Sequence, residues 1–406
     1  MWKDKEEDFV ERIKMSFLQI RLRRNGMTEG ECLQVKILQL IYESFGSPFG
    51  FGGAGVRAYE IYKRLKDRHD ITLLCLKYPN ARDGDIEGLK HIFVGTENKS
   101  LTKSVLAYTI QAARFVRRYG NDFDIIVENF LPPTPFFTTF LTKTPVILQV
   151  QDFWGEHTFK RYPFRYALPM VLIEKLYPRL YKHFIFVSDI TLKHFHLSQK
   201  AVVHLVPNGI DMSLLCTHEE AGNYILFMSS IDMYKKGLDI LLKAFSRISP
   251  FYQNLNLYIA GSGRDSDLLK YELETIPCPV RKNIKLLGWL SGEDKIKAIS
   301  KALFTVLPSR HESQPINILE SAACEKPVIV SDIPELHFVY KEGFGLSFPS
   351  GSIDGLKEKM EILIKDNKQR EVMGRRGREF SSKFLWGDIA NQFEDVLKAH
   401  IRSHDH

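Results

Sequence analysis

No run of about 18 uncharged apolar residues, the length that crosses a bilayer as a helix, occurs in the 406-residue chain. The most apolar stretch, FLPPTPFFTTFLTKTPVILQV, is broken by Pro132, Pro133, Pro135, Lys143 and Pro145, so no membrane span is expected. Cysteine is scarce. The five, Cys32, Cys75, Cys216, Cys278 and Cys324, are scattered, odd in number and lack metal-ligand spacing. With no secretory signal, they imply thiols in a reducing compartment and a cytoplasmic location, with peripheral contact on the inner face of the membrane open. Repeats and low-complexity tracts are absent, which excludes solenoid and disordered classes. No basic run interleaved with aromatics appears, so nucleic acid is not an expected partner.

What is present is enough chain for two cores: 406 residues, 44% hydrophobic and 12% aromatic. The net charge of +7 is a mild excess that suits an anionic ligand or an anionic lipid surface without requiring either. The stretch PSRHESQPINILESAACEKPVIVSD, 308–332, carries the functional reading. Before it, ALFTVLPS is too short for a helix and apolar enough for a buried parallel strand. After it, INILESAACEK has helical spacing, and VIVSD is a further strand. In a strand–loop–helix unit the strand's carboxyl end and the helix N-terminus face one crevice, and that N-terminus favours an anion. Ser313 is the expected N-cap, Glu312 sits at the crevice mouth, and Glu320 lies about two turns further on. Two carboxylates beside such a helix end suit a sugar nucleotide, since carboxylates accept from vicinal hydroxyls and helix N–H groups hold a diphosphate.

This stretch resembles the C-terminal signature of the GT-B retaining glycosyltransferases of family 4 (glycosyl transferases group 1). The resemblance implies that Glu312 contacts the donor sugar and Glu320 the ribose. It extends over about 35–400 and implies an α/β fold of two doubly wound Rossmann-like domains facing across a cleft. The expected parts are an N-terminal extension (1–34), an acceptor domain (35–211), a hinge near 212–222, a nucleotide-sugar donor domain (223–383) and a helix (384–400) crossing back.

In the extension, VERIKMSFLQIRLRR can form an amphipathic helix with Val10, Ile13, Phe17 and Ile20 on one side; it packs on the body, binds a membrane surface, or precedes the real start at Met15 or Met27. VKILQLIY is the first strand. Gly50, Gly52 and Gly55 then match G-x-G-x-x-G, which raises a dinucleotide-binding alternative; the second strand ends in Lys77 instead of a ribose-binding acid, which weakens it. The resemblance assigns Gly52 and Gly53 to a loop whose N–H groups approach the donor phosphate or the acceptor. Arg114, Arg117 and Arg118 cluster on a helix, as a solvated face or a lipid-facing patch. In QVQDFW, Gln151 stands where the family commonly has His, followed by Asp152; Gln can hydrogen-bond a sugar hydroxyl but carries no charge.

The second domain opens with YILFMSSIDMYKKGLDILLKAF, similar to a family pattern in which an Arg and a Lys neutralise the diphosphate. Lys236 matches the Lys and Gly237 follows; Ser230 replaces the Arg, so that leaving-group stabilisation is either weaker or completed by Lys235 or Arg310. The resemblance also implies a glycine turn at Gly261, a base pocket bordered by Gly288, donor contacts near Ile316 and Asn317, and interdomain packing by Trp386. Proline at 315 removes an N–H where the family usually has Gly.

These features lead to the expectation of glycosyl transfer from a UDP or GDP sugar to an acceptor hydroxyl, with retention, no cofactor and no metal, in cell-surface glycan or glycolipid synthesis. The departures at Gln151, Ser230 and Pro315 leave an alternative: a non-catalytic GT-B subunit that binds a nucleotide sugar or a partner enzyme.

Overall fold

The computed structural model describes residues 34–48, 51–98, 100–216 and 220–404. The expected N-terminal amphipathic helix and Gly50 lie outside the described residues. From Lys36 onward the chain forms one compact unit built on two sheets.

The first sheet contains β1 (Lys36–Leu40), β2 (Asp70–Leu76), β3 (Gly84–Ile86), β4 (Leu89–Val94), β5 (Ile125–Asn129), β6 (Val146–Val150), β7 (His183–Phe186) and β8 (Val202–Leu205). Their order is β3-β4-β2-β1-β5-β6-β7-β8, parallel except for the short β3, which pairs antiparallel with β4. The second contains β9 (Tyr224–Met228), β10 (Asn256–Ala260), β11 (Ile284–Gly288), β12 (Phe304–Leu307), β13 (Val328–Asp332) and β14 (Gly345–Pro349), in the order β11-β10-β9-β12-β13-β14. Strands buried on both faces read as continuous apolar runs, and Ile37, Leu38, Ile125, Ile126, Ile225 and Leu226 are all 1% exposed or less. Each sheet reverses its winding direction once, between β1 and β5 and between β9 and β12. Such switch points open a crevice at the strands' carboxyl ends.

The helices that position the site are α1 (Gly53–Leu65), α2 (Leu101–Tyr119), α3 (Phe164–Leu176), α4 (Leu238–Ile248), α5 (Gly292–Ser300), α6 (Ile316–Ala323) and α7 (Trp386–His404). Right-handed crossovers put α1 on one side of the first sheet, and α2 and α3 on the other, because β1→β2 runs one way across the sheet while β4→β5 and β6→β7 run the opposite way. The last helix returns to α1: His69 meets Glu394 at 2.9 Å, Arg68 meets Asn391 at 3.0 Å, and Tyr62 packs edge-on to Phe393.

Pro207, Asn208 and Gly209 do more than turn the chain. The buried Arg57 donates to the Pro207 carbonyl at 2.6 Å, and Asn208 donates from its side chain to the Gln314 carbonyl at 2.8 Å. Trp386, 2% exposed, covers Gly209, where a Cβ would fall 2.8 Å from the indole. The linker is thereby held by α1, by the loop before α6 and by the start of α7.

Candidate functional site

The loops leaving β9 and β12 meet at the switch point of the second sheet. Gly237 makes this possible: its φ is +67°, and a Cβ there would lie 2.0 Å from the Pro308 carbonyl oxygen, so only glycine lets the two loops touch. The contact brings Lys236 Nζ to 2.6 Å from Glu312 Oε1, which also accepts from Ser309 Oγ at 2.7 Å. Both charged residues are buried, Lys236 at 9% and Glu312 at 5% exposure. Glu320 is likewise buried and pairs with Lys295 of α5 at 2.6 Å.

Two expectations for this segment are corrected. Ser313 does not cap the helix; Pro315 occupies that position, and the Ser313 hydroxyl donates instead to Asp152 Oδ1 at 3.1 Å across the cleft. The cause is Pro315, which delays the helix to Ile316 and frees Ser313 for a distant partner. Glu320 therefore sits one turn into α6, with Glu312 in the loop ahead of it. Asn317 donates from its side chain to the Met228 carbonyl, fixing the helix start to the end of β9.

Asp152 links the two halves. Its carboxylate accepts from Lys235 Nζ at 2.6 Å and faces His311 Nε2 at 3.2 Å. Burial pushes Asp152 up, but the Lys235 ammonium outweighs it and holds the carboxyl well below the usual carboxylate range. Burial pushes the His311 imidazole down to about 3, with Lys235 nearby acting in the same direction, so His311 is neutral at physiological pH. Gln151 donates to Asn129 Oδ1 at 2.7 Å.

The other cations are engaged as well. Arg310, expected to complete the diphosphate charge, spends its fork on Asp239 at 2.8 and 2.7 Å and also donates to the Tyr234 carbonyl. Ser230 is exposed, and two residues on, Asp232 receives Arg161 from the opposite domain at 2.7 and 3.1 Å. Arg161, Lys295, Asp232 and His311 were not singled out by the sequence. Each is defined by a partner at least 25 residues away in the chain, and short-range spacing carries no signal of that.

The glycine loop of the first sheet differs from expectation. Gly52 N–H donates to Glu43 Oε2 at 2.9 Å and Gly55 N–H to the same oxygen at 2.6 Å. The protein's own carboxylate fills the anion position at the α1 N-terminus, so these N–H groups are not held open for a donor phosphate, and the dinucleotide alternative loses its phosphate cradle. Burial raises the Glu43 pKa and the two N–H bonds pull it back. Gly53 lies across the cleft from α6, where a Cβ would meet Ile316 Cδ1 at 4.0 Å.

In the second domain Gly261 has φ +139°, and a Cβ there would lie 1.8 Å from the Ser229 carbonyl oxygen, which fixes it as glycine. Its N–H donates to the Gly288 carbonyl at 2.7 Å, and Gly288 itself borders open space. Trp289, half-exposed, meets Phe51 of the opposite domain edge-on at 6.2 Å.

Among the described residues no group of three His, Cys, Asp or Glu side chains could hold a metal ion. Asp-x-Asp spacing does occur, at Asp83/Asp85, Asp122/Asp124 and Asp265/Asp267. In each pair a carboxylate caps backbone: Asp83 accepts from Phe93 N–H, Asp124 from Lys36 N–H and Asp265 from Met233 N–H.

Comparison with known proteins agrees with this fold. The family described as "Glycosyl transferases group 1" matches residues 217–380, and "Glycosyltransferase Family 4" matches 51–214. An uncharacterized glycosyltransferase of Methanocaldococcus jannaschii is 32% identical over 47% of this chain and 51% of its own length. A GDP-mannose-dependent monoacylated alpha-(1-6)-phosphatidylinositol monomannoside mannosyltransferase of Corynebacterium glutamicum is 24% identical over 53% of this chain and 62% of its own. The chain spans about half the length of the curated relatives it matches. Among solved structures, sucrose-phosphate synthase from Thermosynechococcus elongatus superposes with a TM-score of 0.73 at 18% identity, covering 90% of this chain and 99% of that one. An Anabaena protein in complex with UDP-glucose does so with 0.68 at 17%, covering 90% and 100%. The paired two-sheet architecture, the motif order and these matches give one answer: the chain belongs to the GT-B glycosyltransferases.

Proposed function

We propose that the protein transfers a sugar from a UDP or GDP sugar to an acceptor hydroxyl with retention at the anomeric carbon. The observation that carries the reading is the buried Lys236–Glu312 pair at 2.6 Å at the mouth of the cleft, with Glu320 one turn along α6. Breaking the bond between the anomeric carbon and the diphosphate oxygen leaves negative charge on the nucleotide, and a fixed ammonium stabilises it in the transition state. Lys236 is that ammonium. Glu312 accepts from donor-sugar hydroxyls, while Glu320, held by Lys295, accepts from ribose hydroxyls. As the acceptor oxygen bonds the same face of the anomeric carbon, its proton passes to the departing phosphate oxygen, so no protein nucleophile is required. Asp152 and Gln151 stand on the acceptor side, Lys235 faces Asp152 from the donor side, and Gly288 borders the base pocket.

The relatives support a glycan or glycolipid acceptor, since one acts on a phosphatidylinositol mannoside by its name. Donor hydrolysis tests the reading: the wild type releases sugar from one nucleotide sugar, and Glu312→Gln loses about a hundredfold or more in kcat. Retention is read from the anomeric configuration of the product by NMR. A second reading, a subunit that binds a nucleotide sugar without transferring it, is favoured by Pro315 at the helix start and by the Gln151–Asn129 bond. Tight nucleotide binding with no turnover on any acceptor extract would select it.

A further inference from the structure

We propose that Arg57, a buried cation of α1, is a positioning residue: acting through Asn208 and Gln314, it sets the loop that presents Glu312. Arg57 belongs to the first-sheet domain and is 0% exposed. A buried guanidinium is normally matched by a carboxylate, because taking its charge out of water is costly. Among the described residues no carboxylate matches this one, and its Nε and Nη2 meet no acceptor. Burial pushes its pKa down to about 9, which leaves it charged at neutral pH. Its Nη1 donates to the Pro207 carbonyl at 2.6 Å and to Asn208 Oδ1 at 3.1 Å. A charge kept at such cost where the two domains join points to a role beyond packing.

That role follows from which atoms can donate. A guanidinium has no acceptor, so the end of the Asn208 amide that faces Arg57 is its oxygen. The other end, Nδ2, is thereby turned to the Gln314 carbonyl at 2.8 Å, while the Asn208 backbone N–H donates to Gln314 Oε1 at 2.5 Å. Gln314 is clamped to the linker through both its main chain and its side chain, by an amide whose orientation the other domain's cation selects.

Gln314 lies in the loop 308–315 between β12 and α6. Near β12 that loop is held within its own domain: Arg310 N–H donates to the Lys235 carbonyl at 2.9 Å, and Glu312 accepts from Ser309 and Lys236. Near α6 it is held from outside, Ser313 by Asp152 and Gln314 by Asn208. Pro315 has no N–H with which to add a bond of its own. Glu312 stands between the two sets of anchors, so the placement of its carboxylate depends on both. The rate readout of this inference rests on the transfer reading above; the loop readout does not.

Asn208→Asp separates positioning from a structural role. The carboxylate gives Arg57 its missing partner and stays ionised beside it, so the melting temperature holds or rises; an oxygen then faces the Gln314 carbonyl in place of a donor, and the clamp opens. Amide hydrogen exchange over residues 309–318 is expected to quicken by about tenfold or more. With UDP-glucose or GDP-mannose as donor, kcat for donor hydrolysis falls about tenfold or more, while the Kd of whichever of UDP and GDP binds changes by less than about threefold. Arg57→Met frees the amide and repeats the loss of rate, and Arg57→Lys, which keeps a cationic donor, recovers part of it. Wild-type exchange in that loop of the folded Asn208→Asp or Arg57→Met variant overturns the proposal, as does an Asn208→Asp rate that follows its melting temperature instead of falling. A wild type that hydrolyses neither donor contradicts the transfer reading alone, since the exchange comparison needs no substrate.

Discussion

The two walls of the cleft spend their charges differently. On the second-sheet wall, Lys236 with Glu312 and Lys295 with Glu320 form pairs within one domain. On the first-sheet wall, Glu43 closes the α1 N-terminus, Gln151 holds Asn129, and Asp152 reaches across to Lys235. One wall keeps its ligand groups oriented by each other; the other is closed on itself or tied to its opposite. A wall of the first kind can exchange an internal partner for a ligand at little cost in new order, because the side chains are already fixed. The second-sheet wall therefore carries the donor site in this account, and the first-sheet wall sets the relation between the domains.

Lys236→Ala gives the largest expected effect. It removes the cation at the leaving group and strands a buried carboxylate, so turnover falls about a hundredfold or more and stability drops by about 3–5 kcal/mol. Activity and melting temperature measured on one preparation check both. The conservative Lys236→Arg keeps the charge, and recovery of stability without recovery of rate would show that position matters as well as charge.

Next in size is Asp152→Asn, which removes the partner of Lys235 and His311 on the opposite wall. Because the Asp152 pKa is depressed in the folded protein, its contribution to stability is present above the unfolded carboxyl pKa, about 3.9, and is lost as pH falls. The variant should be less stable at neutral pH while nucleotide affinity changes by less than about threefold, as expected if this wall governs domain relation and not donor binding. Equal losses in both would break the comparison.

Glu128 tests the core behind the first wall. Burial pushes its carboxyl up to about 7, against the hydrogen bonds donated by the Tyr177 and Tyr181 hydroxyls at 2.5 and 2.6 Å. A folded-state pKa above the unfolded one means that the native state holds the extra proton. That stability is complete below about pH 4.3 and is lost as pH rises toward 7. Glu174 is raised to about 7 in the same way, so Glu128→Gln should remove about half of this slope in unfolding curves collected from acid to neutral pH. The smallest effect is expected for Lys295→Met: Glu320 loses its orienting partner, and nucleotide affinity weakens about threefold with kcat unchanged.

Much of this arrangement was legible in the chain. Residues 302–332 read as strand, loop, helix and strand, and the structure has β12, a loop, α6 and β13 there. Lys236, Glu312 and Glu320 were singled out from their local sequence; Lys236 and Glu312 pair at 2.6 Å, and Glu320 follows in α6. What was illegible depends on distance. Ser313 looks like a cap until its hydroxyl meets Asp152, 161 positions away. Lys295 and Arg161 sit in segments with no motif, and only the fold brings them to Glu320 and Asp232. Helix α3 escaped notice for a different reason: apolar residues on both of its sides erase the 3.6-residue period, and Pro163 and Pro169 suggest breaks where the helix starts and then continues. The glycine loop misled because its spacing fits a phosphate cradle, while the acid that fills it, Glu43, lies in the loop three residues past the preceding strand.

Isothermal titration with UDP, GDP and ADP, on wild type and on Glu320→Ala, tests the donor-site claim most directly. The account predicts that one of the three binds the wild type and that the substitution weakens it by about tenfold or more. A folded wild type that binds none of them, or one whose affinity is the same with and without the Glu320 carboxylate, would contradict it.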